Sequence, residues 1–131
     1  MAMTEEVKNN IFSKLKKALE DCCPPMVIVK QSDMGMELMG NKPVPYGYSK
    51  KMVPGRYFSS AVVRKDMISF YFFPIYGNVE AFSGLAPTLF KSLKGKTCFN
   101  FKKAEQVDEK ELAALLKKGV EVWIKMGYMK D

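Results

Sequence analysis

The stretch from Tyr57 to Pro74 constrains the fold more than any other part of the chain. "YFSSAVVR" and "MISFYFFP" are dense in aromatic and β-branched residues and are separated by Lys65-Asp66. That is the pattern of two antiparallel strands joined by a short turn. In the second strand Ile68, Phe70 and Phe72 share one face, and Met67, Ser69, Tyr71 and Phe73 share the other. Both faces are largely apolar, which predicts a central strand covered on at least one side.

The flanking segments supply the rest of a single domain spanning all 131 residues. Thr4 is placed to cap a first helix whose Val7, Ile11, Phe12, Leu15 and Leu19 recur along one face. Pro24-Pro25 ends that helix. "MVIVKQ" and "GMELMG" flank "SDM", a hairpin pattern. From Asn41 to Arg56, sixteen residues hold three prolines and two glycines, which predicts a loop without regular structure. Asn78 is placed to cap a helix carrying Val79 and Phe82, and Pro87 opens another with Leu89, Phe90 and Leu93 inward. "TCFNFK" alternates as a strand. The last helix opens on a capping box of Asp108 and Glu111 and carries Leu112, Leu115, Leu116, Gly119, Val120 and Trp123 as its apolar stripe. Gly127 closes it. The expected fold is α+β: a single-layer, mainly antiparallel sheet of about five strands packed against N- and C-terminal helices, in the order α-β-β-β-β-α-β-α.

"LKGKTCFNFKK" contains a Gly-Lys-Thr, the tail of a phosphate-gripping loop. Such a loop needs a glycine at position 90, where this chain has Phe90. It also needs a helix to follow, so that the helix N-terminus faces the phosphates. Here a strand follows, with Phe99 and Phe101 alternating against Cys98, Asn100 and Lys102. The nucleotide-loop reading is rejected. Gly95 is read instead as the residue that stops the preceding helix, with Lys94 and Lys96 in solvent beside it.

The segments "YFSSAVVRKDMISFYFFPIYGN" and "LFKSLKGKTCFNFKK", with a terminal amphipathic helix ending "MGY", resemble the YdhG-like proteins. That family is a domain of unknown function that also takes in a bacterial frataxin-like iron chaperone. The resemblance runs from about Tyr57 to Met129, and "FYFFPIY" and "LKGK" before "CF" are its sharpest elements; the first half of the chain matches less clearly. It implies a small bacterial cytoplasmic α+β domain. No agreed catalytic motif comes with it, so no active residue is carried over.

Composition narrows the chemistry. The chain has no histidine, which removes the commonest general base and any Ser-His-Asp or Cys-His nucleophile. Nothing combines a nucleophile, a base and an orienting group, so a non-catalytic protein is expected and no catalytic residue is assigned. Cys22, Cys23 and Cys98 lack the paired spacing of a zinc site or a disulfide framework, and Cys98 is read as a small core residue. Iron, raised by the resemblance, would need carboxylates. Glu5, Glu6, Glu20, Asp21, Glu105, Asp108, Glu109 and Glu111 are the acids available, but helix capping explains several and lysines interleave with them. No metal ligand and no cofactor is therefore assigned. No apolar run reaches the length of a membrane span and the first ten residues have no signal core, so a cytoplasmic protein is expected.

What remains is a binding surface. The net charge of +7 attracts polyanions, anionic ligands or acidic proteins. Arg64, Tyr71, Asn100 and Lys102 are expected on the sheet face away from the helices. Tyr46, Tyr48, Lys50, Lys51 and Arg56 are added by the loop, and Lys96 by the turn. Aromatic rings among cations suit a stacked, negatively charged ligand: an anionic small molecule, an acidic protein, or a single-stranded nucleic acid. Ten methionines and nine phenylalanines are generous for one small core and raise homodimerisation through an uncovered sheet face.

Overall fold

The computed structural model describes residues 4–23, 26–46, 51–76, 79–95 and 97–129. The chain opens with helix α1 (Glu5–Glu20), followed by strands β1 (Val27–Ser32), β2 (Gly35–Met39), β3 (Val44–Tyr46), β4 (Lys51–Val53), β5 (Tyr57–Val63) and β6 (Ile68–Phe72). A 3-10 turn over Phe73–Ile75 leads to helices α2 (Val79–Ser83) and α3 (Pro87–Phe90). Strands β7 (Leu93–Lys94) and β8 (Cys98–Phe101), a second 3-10 turn and helix α4 (Glu109–Lys125) complete it. Six strands form one sheet in the order β1-β2-β5-β6-β8-β7, with every neighbouring pair antiparallel. The fold is thus α+β with both long helices packed into one core, as the periodicity predicts.

The inner sheet face is aromatic. Register pairs Phe70 with Ala61 and Phe99, and Ile68 with Val63 and Phe101, so these side chains project together. Phe70, Phe72, Phe99 and Phe101 are completely buried beneath Ile11, Leu15 and Leu19 of α1 and Leu112, Leu115 and Trp123 of α4. Burying one such side chain contributes on the order of 1.5–3 kcal/mol. Gly119 lets α4 descend onto this layer: a Cβ there would meet Phe72 Cζ at 2.5 Å.

The helix ends follow their chemistry. Val7 N donates to Thr4 Oγ1 at 3.2 Å, and Glu111 N donates to Asp108 Oδ1 at 3.0 Å. At the end of α4, Gly127 adopts φ +82°. This allows Gly127 N to donate to Ile124 O and Tyr128 N to reach back to Trp123 O. The Tyr128 ring then packs on Trp123 at 5.2 Å between centroids.

Several expectations are corrected. The sheet has six strands rather than about five, because Leu93–Lys94 pairs with β8 instead of continuing the helix. Helix α3 ends at Phe90, so Gly95 is no helix stop; its φ of +77° lets the chain reverse between β7 and β8. The stretch from Asn41 to Arg56 is not wholly irregular, since β3 pairs with β4. Pro45 is tolerated there because a two-stranded ladder leaves each strand one edge that needs no donor. Phe73 leaves the strand for a 3-10 turn, where Pro74 cannot donate to a ladder. Glu111 makes only half of a capping box. Its carboxylate instead accepts Thr88 N at 2.7 Å and Leu89 N at 3.2 Å, capping α3 from another element. Pro24, Pro25 and Asn78 lie outside the described residues.

Candidate functional site

The outer sheet face is polar, and one irregularity shapes it. β2 and β5 pair Leu38 with Ser59 but Met39 with Tyr57, so Phe58 is an extra residue in β5. This bulge turns Phe58 into the core, against Phe72 at 5.6 Å and Trp123 at 5.8 Å. It also brings Tyr57 and Ser60, three residues apart, onto the same outer face, where their hydroxyls share a hydrogen bond. In a regular strand residues three apart point to opposite sides.

Register aligns two outer rows across the sheet. One runs Lys30, Glu37, Ser60, Tyr71, Cys98 and Lys94; the other runs Gly35, Val62, Ser69 and Asn100. Arg64, just beyond β5, lies over both. Its Nε donates to Ser69 Oγ at 2.9 Å and its Nη2 donates to Tyr71 Oη at 2.7 Å. Ser69 Oγ donates to Asn100 Oδ1 at 3.0 Å, and Cys98 Sγ donates to the same oxygen at 3.4 Å. Ser69 is buried, Tyr71 and Asn100 are half-buried, and Arg64 is exposed.

Arginine can only donate, so Ser69 Oγ and Tyr71 Oη are the acceptors at its two contacts. Ser69 accepts from Arg64 and gives its own proton to the Asn100 carbonyl oxygen. Tyr71 oxygen accepts from Arg64 and directs its own proton elsewhere. Beyond these bonds the network keeps donor capacity in the outer N–H groups of Arg64, the Tyr71 O–H and the Asn100 amide, alongside a remaining lone pair on each hydroxyl oxygen. No carboxylate among the described residues comes within ion-pair distance of Arg64.

Of the residues expected to bind, Arg64, Tyr71 and Asn100 are brought together. Lys102 is exposed just past the end of β8, where its backbone N donates to Gln106 Oε1 at 2.7 Å. Arg56 is elsewhere: its guanidinium lies 5.1 Å from the Phe73 ring and 5.2 Å from the Tyr128 ring, bracing the turn after α4. Lys51 is exposed on β4 and Tyr46 ends β3, in the small separate sheet. Tyr48, Lys50 and Lys96 lie outside the described residues. Ser69, the hinge of the network, is not among the residues expected to bind, although strict alternation with Tyr71 places it on this face. Cys98 is corrected from core to outer face, because Phe99 and Phe101 take the inner side of β8.

Other candidate chemistry is weaker. Burial, then the charges of Cys23 and Asp21, push the Cys22 thiol up to about 12, and burial raises Cys23 as well. Neither is a thiolate near neutrality, and each donates to a carbonyl one turn back in α1. Among the described residues no group of three or more Cys, Asp or Glu side chains converges to hold a metal ion. A groove of about 1080 Å³ runs between α1 and α4, with Leu116 and Val120 among its lining. Three lysines (Lys14, Lys17 and Lys117) stand there with four acids (Glu6, Asp21, Glu109 and Glu121), so it does not favour an anion. No helix among the described residues is long and apolar enough to cross a membrane. In comparisons with known proteins, no family, no curated protein and no solved structure matches this chain, so the reading of the site rests on its own residues.

Proposed function

We propose that this chain is a non-catalytic cytoplasmic binding domain that takes an anionic ligand, or an anionic group of a partner, on the outer face of its sheet. One observation carries the reading: hydrogen bonds from Nε to Ser69 and from Nη2 to Tyr71 hold the exposed Arg64 guanidinium by one edge, which leaves its outer N–H groups as charged donors. Such a surface binds a group that can only accept. The net charge of +7 draws anions toward it. A likeness to the YdhG-like proteins belongs to the same proposal, as a likeness of fold. The iron-carrier alternative finds no converging carboxylates among the described residues. Single-stranded nucleic acid ranks below a compact anion, because Tyr57 and Tyr71 are half-buried with their hydroxyls engaged and offer little open ring for stacking.

Titration of isotopically labelled protein with pyrophosphate at low salt tests the proposal. Amide shifts should concentrate on β5, β6 and β8 around Arg64. Shifts confined to the α1–α4 groove, or none at millimolar ligand, would overturn it.

A further inference from the structure

We infer that β1 pairs edge to edge with the β1 strand of a second copy of this chain, joining the two sheets in an antiparallel dimer. The two outermost strands of the sheet, β1 and β7, are unlike. β7 has two residues, carries Lys94 soon after Lys91, and turns back into β8 at Gly95. A short strand beside lysines resists pairing with another chain. β1 has six residues, no proline and one lysine, Lys30. It is exposed along its whole length, and among the described residues only β2 pairs with it. Its far side therefore presents a row of backbone N–H and C=O groups to a further strand.

The side chains fit the same partner. Val27, Ile28 and Val29 are 36%, 39% and 49% exposed, the one consecutive run of exposed large apolar residues among those described. Ile28 stands opposite Leu38, on the face that the helices cover. Leu38 is completely buried and Ile28 is not, because the apolar layer stops at an open edge. A second β1 continues that layer with the same β-branched residues. Charge permits the approach. The net +7 opposes contact between copies in general, but the hairpin from Val27 to Met39 holds Lys30 against Asp33 and Glu37 and brings no positive excess to the contact. With β7 closed to pairing, each copy has one open edge, so a two-fold contact uses both edges and stops at a dimer. The bulge at Val29 interrupts the regular ladder and keeps the contact small. A dissociation constant on the order of 10–100 µM is accordingly expected.

Sedimentation equilibrium of the full chain in reducing buffer, from below that range to well above it, tests the inference. A reversible dimer should form, and it should tighten as salt is raised, because screening weakens the repulsion between two +7 chains. Val29→Lys should raise the dissociation constant at least ~10-fold by setting like charges across the two-fold contact. Met52→Lys, the same change of charge at an exposed site on β4, should leave it unaltered. Amide exchange in Val27–Ser32 should slow as the protein is concentrated. A monomer at millimolar concentration would overturn the inference. So would a dimer that loosens with salt, that Val29→Lys leaves intact, or that both variants weaken alike. Protection of β1 only on adding an unrelated apolar, extended peptide would overturn it in favour of a foreign strand.

Discussion

Strands β5, β6 and β8 build two unlike surfaces from alternate residues. Toward the helices, Phe70 lies 5.7 Å from Phe99 and 6.4 Å from Phe101, ring to ring, and the buried Ser59 in the same layer gives its proton to the Tyr71 backbone oxygen at 2.6 Å. Toward the outside, Ser69, Tyr71 and Asn100 are joined through hydroxyls, an amide and the Arg64 guanidinium, and Ser60 bonds the Tyr57 hydroxyl beside them. The inner surface is held by burial and dispersion, which are additive and indifferent to direction. The outer one is held by hydrogen bonds, in which a single lost proton rewires the neighbours. Stability is therefore expected to reside inside and recognition outside, and substitutions at adjacent positions of one strand should separate them.

The largest effect should come from Phe72→Ala, which removes a ring in contact with Phe58, Phe70 and Phe82. Urea denaturation should show a loss of about 3–5 kcal/mol. A loss below about 1 kcal/mol would break the contrast. Gly119→Ala adds a methyl against Phe72 and Phe58 and should cost about 1–3 kcal/mol by the same measurement, since the rings must shift to admit it. On the outer face, Arg64→Gln should change stability by no more than about 0.5 kcal/mol, as befits an exposed side chain. It should nevertheless abolish the pyrophosphate-dependent shifts. A destabilisation as large as that of Phe72→Ala would mean that Arg64 is structural.

The smallest effect lies at alkaline pH. Burial pushes the Tyr57 hydroxyl up from its ordinary value of 10 to about 12, with Glu37, Tyr71 and Cys98 adding and the Ser60 hydrogen bond opposing. Below pH 10 both folded and unfolded chains keep this proton, and its contribution to stability is fully present. Between 10 and about 12 the unfolded chain ionises first, so stability should fall through that window and level off above it. Cys22 acts in the same direction from 9 to about 12. Ultraviolet titration of tyrosinate should show a late component that Tyr57→Phe removes. Retention of that component in the variant would assign it to another ring.

Much of this was legible along the chain. The apolar stripes of α1 and α4, the caps at Thr4 and Asp108, and the close of α4 at Gly127 are local matters of spacing and backbone chemistry. The two-residue alternation of β6 and β8 likewise assigns Phe70 and Phe99 to one face and Tyr71 and Asn100 to the other, wherever those strands sit. Alternation alone does not say which strands are neighbours. That β8 returns beside β6, so that Asn100 meets Ser69, depends on contacts between residues 31 positions apart. The bulge at Phe58, the short β3–β4 and β7–β8 pairings, and the capping of α3 by Glu111 have the same origin. Spacing within a segment sets which way each side chain points, because the backbone repeats. Partners across the molecule are chosen only when the aromatic layer closes and every buried polar group must find a mate.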